Sequence, residues 1–289
     1  MAQALFALIP LFVNLLSFLV HAKIRPYNSL DIATEPSYHS WKEIAEWDYL
    51  LFVQRWPPSV CADEDDQTLQ HIHPAKRNSR KLPRDGVKCA IPPVVSRNTW
   101  VMHGVWPTKN GTEGPVNCQK NATFIIKPLD PILDDLRAFW PNLEADTAED
   151  SFWKHEWLKH GTCAQSLPSL SGEYNYFNMA LHIRNSKYNL YQALADKGIV
   201  PSTTKHSSHA DFVQALKETY GKSVQVWCAY SKATKLHYIT EIRICLTKDF
   251  QMMDCPFSPS NLSYSQTSPC PKRIPLQYAP SNDTRTFIE

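Results

Sequence analysis

Apolar positions recur along the chain with two different periods. Residues 49–56 (Tyr-Leu-Leu-Phe-Val-Gln-Arg-Trp) form an almost unbroken apolar and aromatic run halted by Pro57-Pro58, which predicts a buried strand. Residues 99–105 predict a second strand, stopped by Pro107. Within residues 128–140, Leu129, Ile132, Leu133, Leu136 and Phe139 fall on one helical face, and Pro141 ends the pattern. Residues 174–197 predict one long helix closed by Gly198. Residues 208–220 predict another, with Ser208 and Asp211 spaced as a capping box and Gly221 as its stop. Residues 223–230 and 237–246, rich in β-branched and aromatic side chains, read as strands. Strands on either side of a helical middle predict an α+β domain: a mainly antiparallel central sheet with several packed helices.

The chain ends break this pattern. Residues 5–20 are almost wholly apolar and are followed by Val20-His21-Ala22, so residues 1–22 read as a signal peptide cut after Ala22. That run is short for a membrane span, and no other stretch is a candidate. Residues 62–88 are charged and read as an insertion loop between Cys61 and Cys89. Residues 256–289 are rich in Pro and Ser, so a single domain is expected over residues 23–270, with 271–289 as a C-terminal tail. Eight cysteines behind a signal peptide imply four disulfides. The sequons at Asn110, Asn121, Asn261 and Asn282 agree with export, to the extracellular space or the lysosome. A net charge of +2 supplies no broad basic face, so attraction to any nucleic acid must be local.

The chemistry concentrates in two places. His155, Glu156, Lys159 and His160 fall within six residues, interleaved with Phe152, Trp153 and Trp157. Such a cluster is costly to bury unless its members are paired or working, and the aromatics shift the pKa values of their neighbours. A zinc protease places its two histidines at His-Glu-x-x-His spacing; here the second histidine comes one residue late, about 140° around a helix from the first. Lys159 would also repel a cation. A scattered-charge surface helix leaves the aromatics unexplained. The second place is residues 102–107, Met-His-Gly-Val-Trp-Pro, where a strand ends in a histidine, a glycine and an aromatic.

Together, residues 102–107 and 152–163 resemble the two active-site signatures of the T2 ribonuclease family, with Val105 where leucine is usual. Residues 52–57 resemble the family's first core strand, so the resemblance spans about residues 48–270. It implies metal-independent cleavage of single-stranded RNA through a 2′,3′-cyclic phosphate, with no cofactor. RNA supplies the 2′-OH nucleophile that DNA lacks, so DNA is not an expected substrate. By resemblance His160 is the base and His103 the acid, while Glu156, Lys159 and His155 hold the phosphate and stabilise charge. Trp106 would stack a base, with Phe152 and Gln54 as candidates for the downstream base. Thr108 stands where many members carry an aspartate that reads the upstream base. The implied disulfides are Cys61–Cys89, Cys118–Cys163, Cys228–Cys270 and Cys245–Cys255, the second tying the two motifs together. The mature protein is expected as a monomer with no membrane attachment. A secreted binding or signalling factor that keeps the fold is the alternative, although such a factor needs none of the five clustered side chains together.

Overall fold

The computed structural model describes residues 45–64, 89–112, 114–256 and 268–281. The signal peptide, most of the 62–88 loop, Asn261, Asn282 and the last eight residues lie outside them. The elements in order are β1 (Tyr49–Arg55), α1 (Pro57–Glu64), β2 (Val101–Thr108), α2 (Leu133–Phe139) and α3 (Ser151–Lys159). They continue with α4 (Glu173–Lys187), α5 (Leu190–Ala195), α6 (His209–Tyr220), β3 (Gln225–Tyr230) and β4 (His237–Leu246). Three two-residue strands follow: β5 (Met252–Met253), β6 (Ser268–Pro269) and β7 (Leu276–Gln277).

The sheet runs β2-β1-β4-β3-β6, with β5 and β7 beside β4. Every pairing is antiparallel except β4 with β7. This is the α+β architecture expected from the pattern. Alternation along the strands divides the sheet into two faces. Leu50, Phe52, Met102, Val105, Ile242 and Ile244 point into the large core, together with Leu136 and Trp140 near α2, Tyr176 and Phe177 from α4, and Phe212 and Leu216 from α6. The other face carries the smaller cluster of Tyr49, Leu51, Val53, Trp106 and Cys245.

Several elements differ from expectation for identifiable reasons. Pro57-Pro58 ends β1 but also opens α1, because a proline at the first helical position gives up an N–H that has no helical partner anyway. Residues 62–64 therefore belong to α1 and not to the loop. Pro107 does not stop β2, which runs on to Thr108; β2 lies at the end of the sheet path, where a missing donor is tolerated. The proline-rich start of the 128–140 segment is a 3-10 turn over Lys127–Ile132 that leads into α2. The single helix expected over 174–197 is two, because the Asn189 side chain accepts a hydrogen bond from the Gln192 N–H and caps α5. The capping box of α6 is present in both directions, and Gly221 closes the helix in the left-handed region. The described part of the expected tail packs into the core instead. Leu276, Gln277, Tyr278 and Ala279 are buried, the Trp56 indole donates to Ala279 O, and the Trp100 indole donates to Tyr278 Oη.

All eight cysteines are paired: Cys61–Cys89, Cys118–Cys163, Cys228–Cys270 and Cys245–Cys255. These are the pairs that the resemblance implies. No helix among the described residues is long and apolar enough to cross a membrane.

Candidate active site

His103 owes its position to an irregularity in the sheet. Val53 pairs with Gly104 and Gln54 with Met102, so His103 is the extra residue of a bulge in β2. A bulge re-aims a side chain and shifts the phase of the strand beyond it. Trp106 consequently joins Leu51 and Val53 on the face opposite the large core. The Trp140 indole donates to the His103 carbonyl and holds the bulged backbone from below.

The second motif is carried by α3. Trp153 and Trp157, one turn apart, are buried and anchor the helix on the core, while Lys154 and His155 face solvent. Glu156 shares the buried side and is only 1% exposed. His160 caps the helix, its backbone N–H donating to Glu156 O. Next to it, a Cβ at Gly161 would collide with the Trp157 ring, so only glycine lets the chain turn there.

The two motifs meet through Trp106. Its indole Nε1 donates to Glu156 Oε2 at 2.8 Å. His160 stacks on the indole at 4.8 Å between ring centres, and His103 meets it edge-on at 4.9 Å. A Cβ at Gly104 would collide with both Trp106 Nε1 and Glu156 Oε2, so the glycine makes room for this hydrogen bond. The other Glu156 oxygen, Oε1, lies 3.9 Å from His103 Nε2. Glu156 Oε1 and His160 Nδ1 are buried and have no hydrogen-bond partner among the described residues. Buried polar atoms rarely lack a partner, so both atoms are placed to meet water or a bound group.

The electrostatics separate these groups. Burial, followed by the charges of Lys159, His103, His155 and Arg243, holds His160 well below the ordinary histidine range. All of these causes favour the neutral ring over the imidazolium. Burial raises Glu156, against the pull of His103, the Trp106 hydrogen bond, Lys159 and Arg55. Its packed surroundings, then Lys159 and His103, lower His155.

Sequence reasoning missed a third contributor, on β4. Glu241 Oε1 lies 2.5 Å from His103 Nδ1. Glu241 Oε2 accepts from Arg243 Nε and Nη2, at 3.0 and 2.7 Å. Burial alone would raise the Glu241 carboxyl, but Arg243 and His103 outweigh it and hold it at about 2. The Arg243 guanidinium lies over the Trp227 ring at 3.6 Å. The available signal was two charges at i and i+2 in a largely apolar strand. Such charges share one face, and buried charges need partners.

The residues nominated for substrate binding fare unequally. Phe152 is partly exposed, 5.6 Å from the His103 ring and 4.3 Å beneath the Arg55 guanidinium. Gln54 is a correction: it alternates with Val53 and Arg55, points into the large core and donates to Tyr188 O. Its neighbour Arg55 is the β1 residue that reaches Phe152. Thr108 is also buried, and its hydroxyl is used on Trp106 O two residues back. Trp106, 6% exposed and stacked on His160, is enclosed rather than offered as an open platform. Asn110 and Asn121 are exposed. The loop after β2 is tied to the end of α3 by Cys118–Cys163 and by the Asn117 N–H donating to Lys159 O.

The comparisons with known proteins agree with this geometry. Residues 47–255 match the model of the Ribonuclease T2 family. Ribonuclease Oy of Magallana gigas is 36% identical over 240 residues, covering 82% of this chain and 99% of that protein. Human ribonuclease T2 is 32% identical over 213 residues, covering 73% of this chain and 71% of that protein. Among solved structures, RNase NT in complex with 5′-AMP superposes with a TM-score of 0.62 at 26% identity, covering 82% of this chain and all of that one. The crystal structure of human RNase T2 gives 0.60 at 28% identity, covering 81% and 99%. Two motifs joined across one indole, on this fold and with these relatives, make the chain a member of the Ribonuclease T2 family.

Proposed function

We propose that the protein is an endoribonuclease that cleaves single-stranded RNA by acid/base transphosphorylation. The observation that carries this reading is the placement of two imidazoles against one indole, with a buried carboxylate hydrogen-bonded to the same ring. His160, kept neutral by its surroundings, takes the proton of the 2′-OH. The 2′-oxygen bonds to phosphorus, the P–O5′ bond breaks, and His103 gives a proton to the leaving 5′-oxygen. The product is a 2′,3′-cyclic phosphate. In this reading Lys159 and His155 stabilise the charge that accumulates on the phosphoryl oxygens, and Glu156, raised by burial, serves there as a proton-bearing hydrogen-bond donor.

Burial of Trp106 changes its expected role. It fixes Glu156 and His160 relative to each other, and Phe152 is the aromatic left to stack a base. Gln54 and Thr108, both buried and engaged, are removed from the substrate-reading set, and Arg55 takes the place of Gln54 beside Phe152. The chain is exported, with residues 1–22 removed, to the extracellular space or lysosome. Its four disulfides and its exposed sequons at Asn110 and Asn121 support that destination.

The test is RNA cleavage by the purified protein, with and without EDTA, beside a His160→Ala variant. Activity that survives the chelator and disappears in the variant is expected, with cyclic phosphate ends on the products. A folded protein that leaves RNA intact between about pH 4 and 8, where histidines titrate, would return the alternative of a binding factor.

A further inference from the structure

His103 is held on both sides, yet neither signature motif contains what holds its inner nitrogen. From α3, Glu156 Oε1 stands 3.9 Å from Nε2, and His155 and His160 lie near enough to feel a charge on the His103 ring. The Phe152 ring lies 5.6 Å away, with the Arg55 guanidinium of β1 beyond it. From β4, Glu241 reaches Nδ1 at 2.5 Å, with Arg243 behind it. Glu241 sits next to a second sheet irregularity: Trp227 pairs with Glu241 and Cys228 with Ile239, leaving Thr240 as the extra residue. The Thr240 hydroxyl donates to Trp227 O, and the Trp56 N–H donates to Thr240 O, which fixes the bulge in place. Two bulges, one in β2 and one in β4, thus present His103 and Glu241 to each other across β1.

We propose that Glu241, braced by Arg243, is a positioning residue for His103: it accepts the Nδ1 proton and leaves Nε2 as the atom that exchanges a proton with substrate. An ionised carboxylate can only accept, so Nδ1 must donate and the neutral ring has a single tautomer. Glu241 stays ionised down to about 2, so this holds throughout the range in which a histidine works. The hydrogen bond orients the ring whether or not Nε2 carries a proton, because Nδ1 is a donor in both states. After His103 gives its Nε2 proton away, the Nδ1–H to Glu241 bond keeps the ring in place to be reprotonated. Arg243 has two tasks: two of its N–H groups fix the second Glu241 oxygen, and its charge offsets the cost of a buried carboxylate.

This inference rests on the proposed role of His103 as the acid, and a test can separate the two. Nitrogen-15 chemical shifts of the His103 ring are followed against pH in the native protein, in Glu241→Gln and in Glu241→Gln/Arg243→Met. The double variant removes the charge pair as a unit, so no buried guanidinium is stranded if the single variant folds poorly. The pH profile of kcat/KM on RNA is recorded beside them. In the native protein the neutral ring is expected to carry its proton on Nδ1. In both variants the ring should lose its extra proton at lower pH, and the alkaline limb of the rate profile should shift the same way. At neutral pH this is about a ten- to hundredfold loss, part of what a general acid contributes, and it is recovered in acid. A purely structural glutamate would lower the rate at every pH without moving the limb. A native ring protonated on Nε2, or a His103 titration unchanged in both variants, overturns the proposal. A ring titration that moves while the limb stays put upholds Glu241 as the positioning group and instead removes His103 as the acid.

Discussion

The end of β2 and the end of α3 each deliver one imidazole to the site, in opposite surroundings. His103 is 26% exposed and held by a carboxylate at Nδ1. His160 is 5% exposed and packed flat on an indole, with no hydrogen-bond partner for Nδ1 among the described residues; burial and then nearby cationic groups disfavour its charged form. One residue type thus sits in two environments, a ring oriented by a carboxylate and a desolvated ring, which under the proposed mechanism serve as acid and base. The contrast arises from how each is mounted. A bulge in a strand turns His103 toward the neighbouring strands, while the helix cap drops His160 against Trp106.

Removing either ring is the most severe way to break this contrast. His160→Ala and His103→Ala should each reduce kcat by about 10²–10⁴, the usual contribution of a positioned acid or base. The double variant should cost much less than the product of the two, because the pair acts as a unit. Steady-state rates on RNA of both single variants and the double decide the matter; full multiplicativity would mean that the rings act independently. The pH dependence follows from the direction of the His160 shift. A base must be unprotonated, and a lowered pKa leaves His160 unprotonated to a more acidic pH than an ordinary histidine. The acid limb of kcat/KM should therefore lie below about 6.5. An acid limb above that value would contradict the environment found for His160.

The fold and the two motifs were largely legible because their signals are local. Apolar runs marked β1 and β4, and the Ser208/Asp211 spacing marked the start of α6. The side chains of residues 103–107 and 152–163 are too unusual to be filler. What stayed hidden depends on register. One extra residue in β2 reverses which face Trp106 occupies, and periodicity alone does not reveal a bulge. The same parity places Gln54, expected at the site, in the core, and puts Arg55 beside Phe152 instead. Glu241 and Arg243 read as ordinary alternation in β4, because the group that Glu241 holds, His103, is 138 residues away in sequence. The burial of Leu276 and Tyr278 was hidden for a related reason: a two-residue strand carries too little pattern to outweigh a Pro- and Ser-rich composition.

The bridge between the two mounts offers a second, smaller break. Cys118–Cys163 spans 45 residues and ties the loop after β2 to the chain just past His160. Replacing both cysteines with alanine should cost about 2–5 kcal/mol of stability. Three disulfides and the large core remain, so the fold should survive at room temperature. Activity should fall further than the folded fraction, since the loop also holds α3 through Asn117 and Lys159. Circular dichroism beside RNA cleavage distinguishes the cases, and equal losses in both would reduce the bridge to a staple.

Gly104→Ala tests the seam itself. The added methyl meets Trp106 Nε1 and Glu156 Oε2 together, so the indole and the carboxylate must part. Overpacking costs typically 1–3 kcal/mol, and losing the bond to a buried carboxylate adds to that. A fall of about 3 kcal/mol in urea-derived stability is expected, together with an activity loss because His160 rests on the displaced indole. Unchanged stability would mean that β2 and α3 are held together elsewhere.

The smallest effect is expected at the rim, where the contrast between mounted and open aromatics can be sharpened. Trp106 is enclosed; Phe152 keeps an open edge beside His103 and under Arg55. If Phe152 is the surface on which a base rests, Phe152→Ala should weaken substrate binding by about 1–3 kcal/mol, the range for one base stacked on an aromatic. That appears as a rise in KM with a smaller change in kcat, because stacking acts on ground state and transition state alike. Phe152→Trp should restore it, whereas Trp106→Phe should not behave as a binding variant at all. That change removes the Nε1 hydrogen bond to Glu156 while keeping an aromatic ring, so its cost should fall on kcat. A dinucleotide substrate with and without the base after the scissile phosphate then asks which base rests on Phe152. If the alanine variant loses its penalty only when that base is missing, the downstream assignment stands; a penalty that persists in both substrates would place Phe152 in the support of His103 instead.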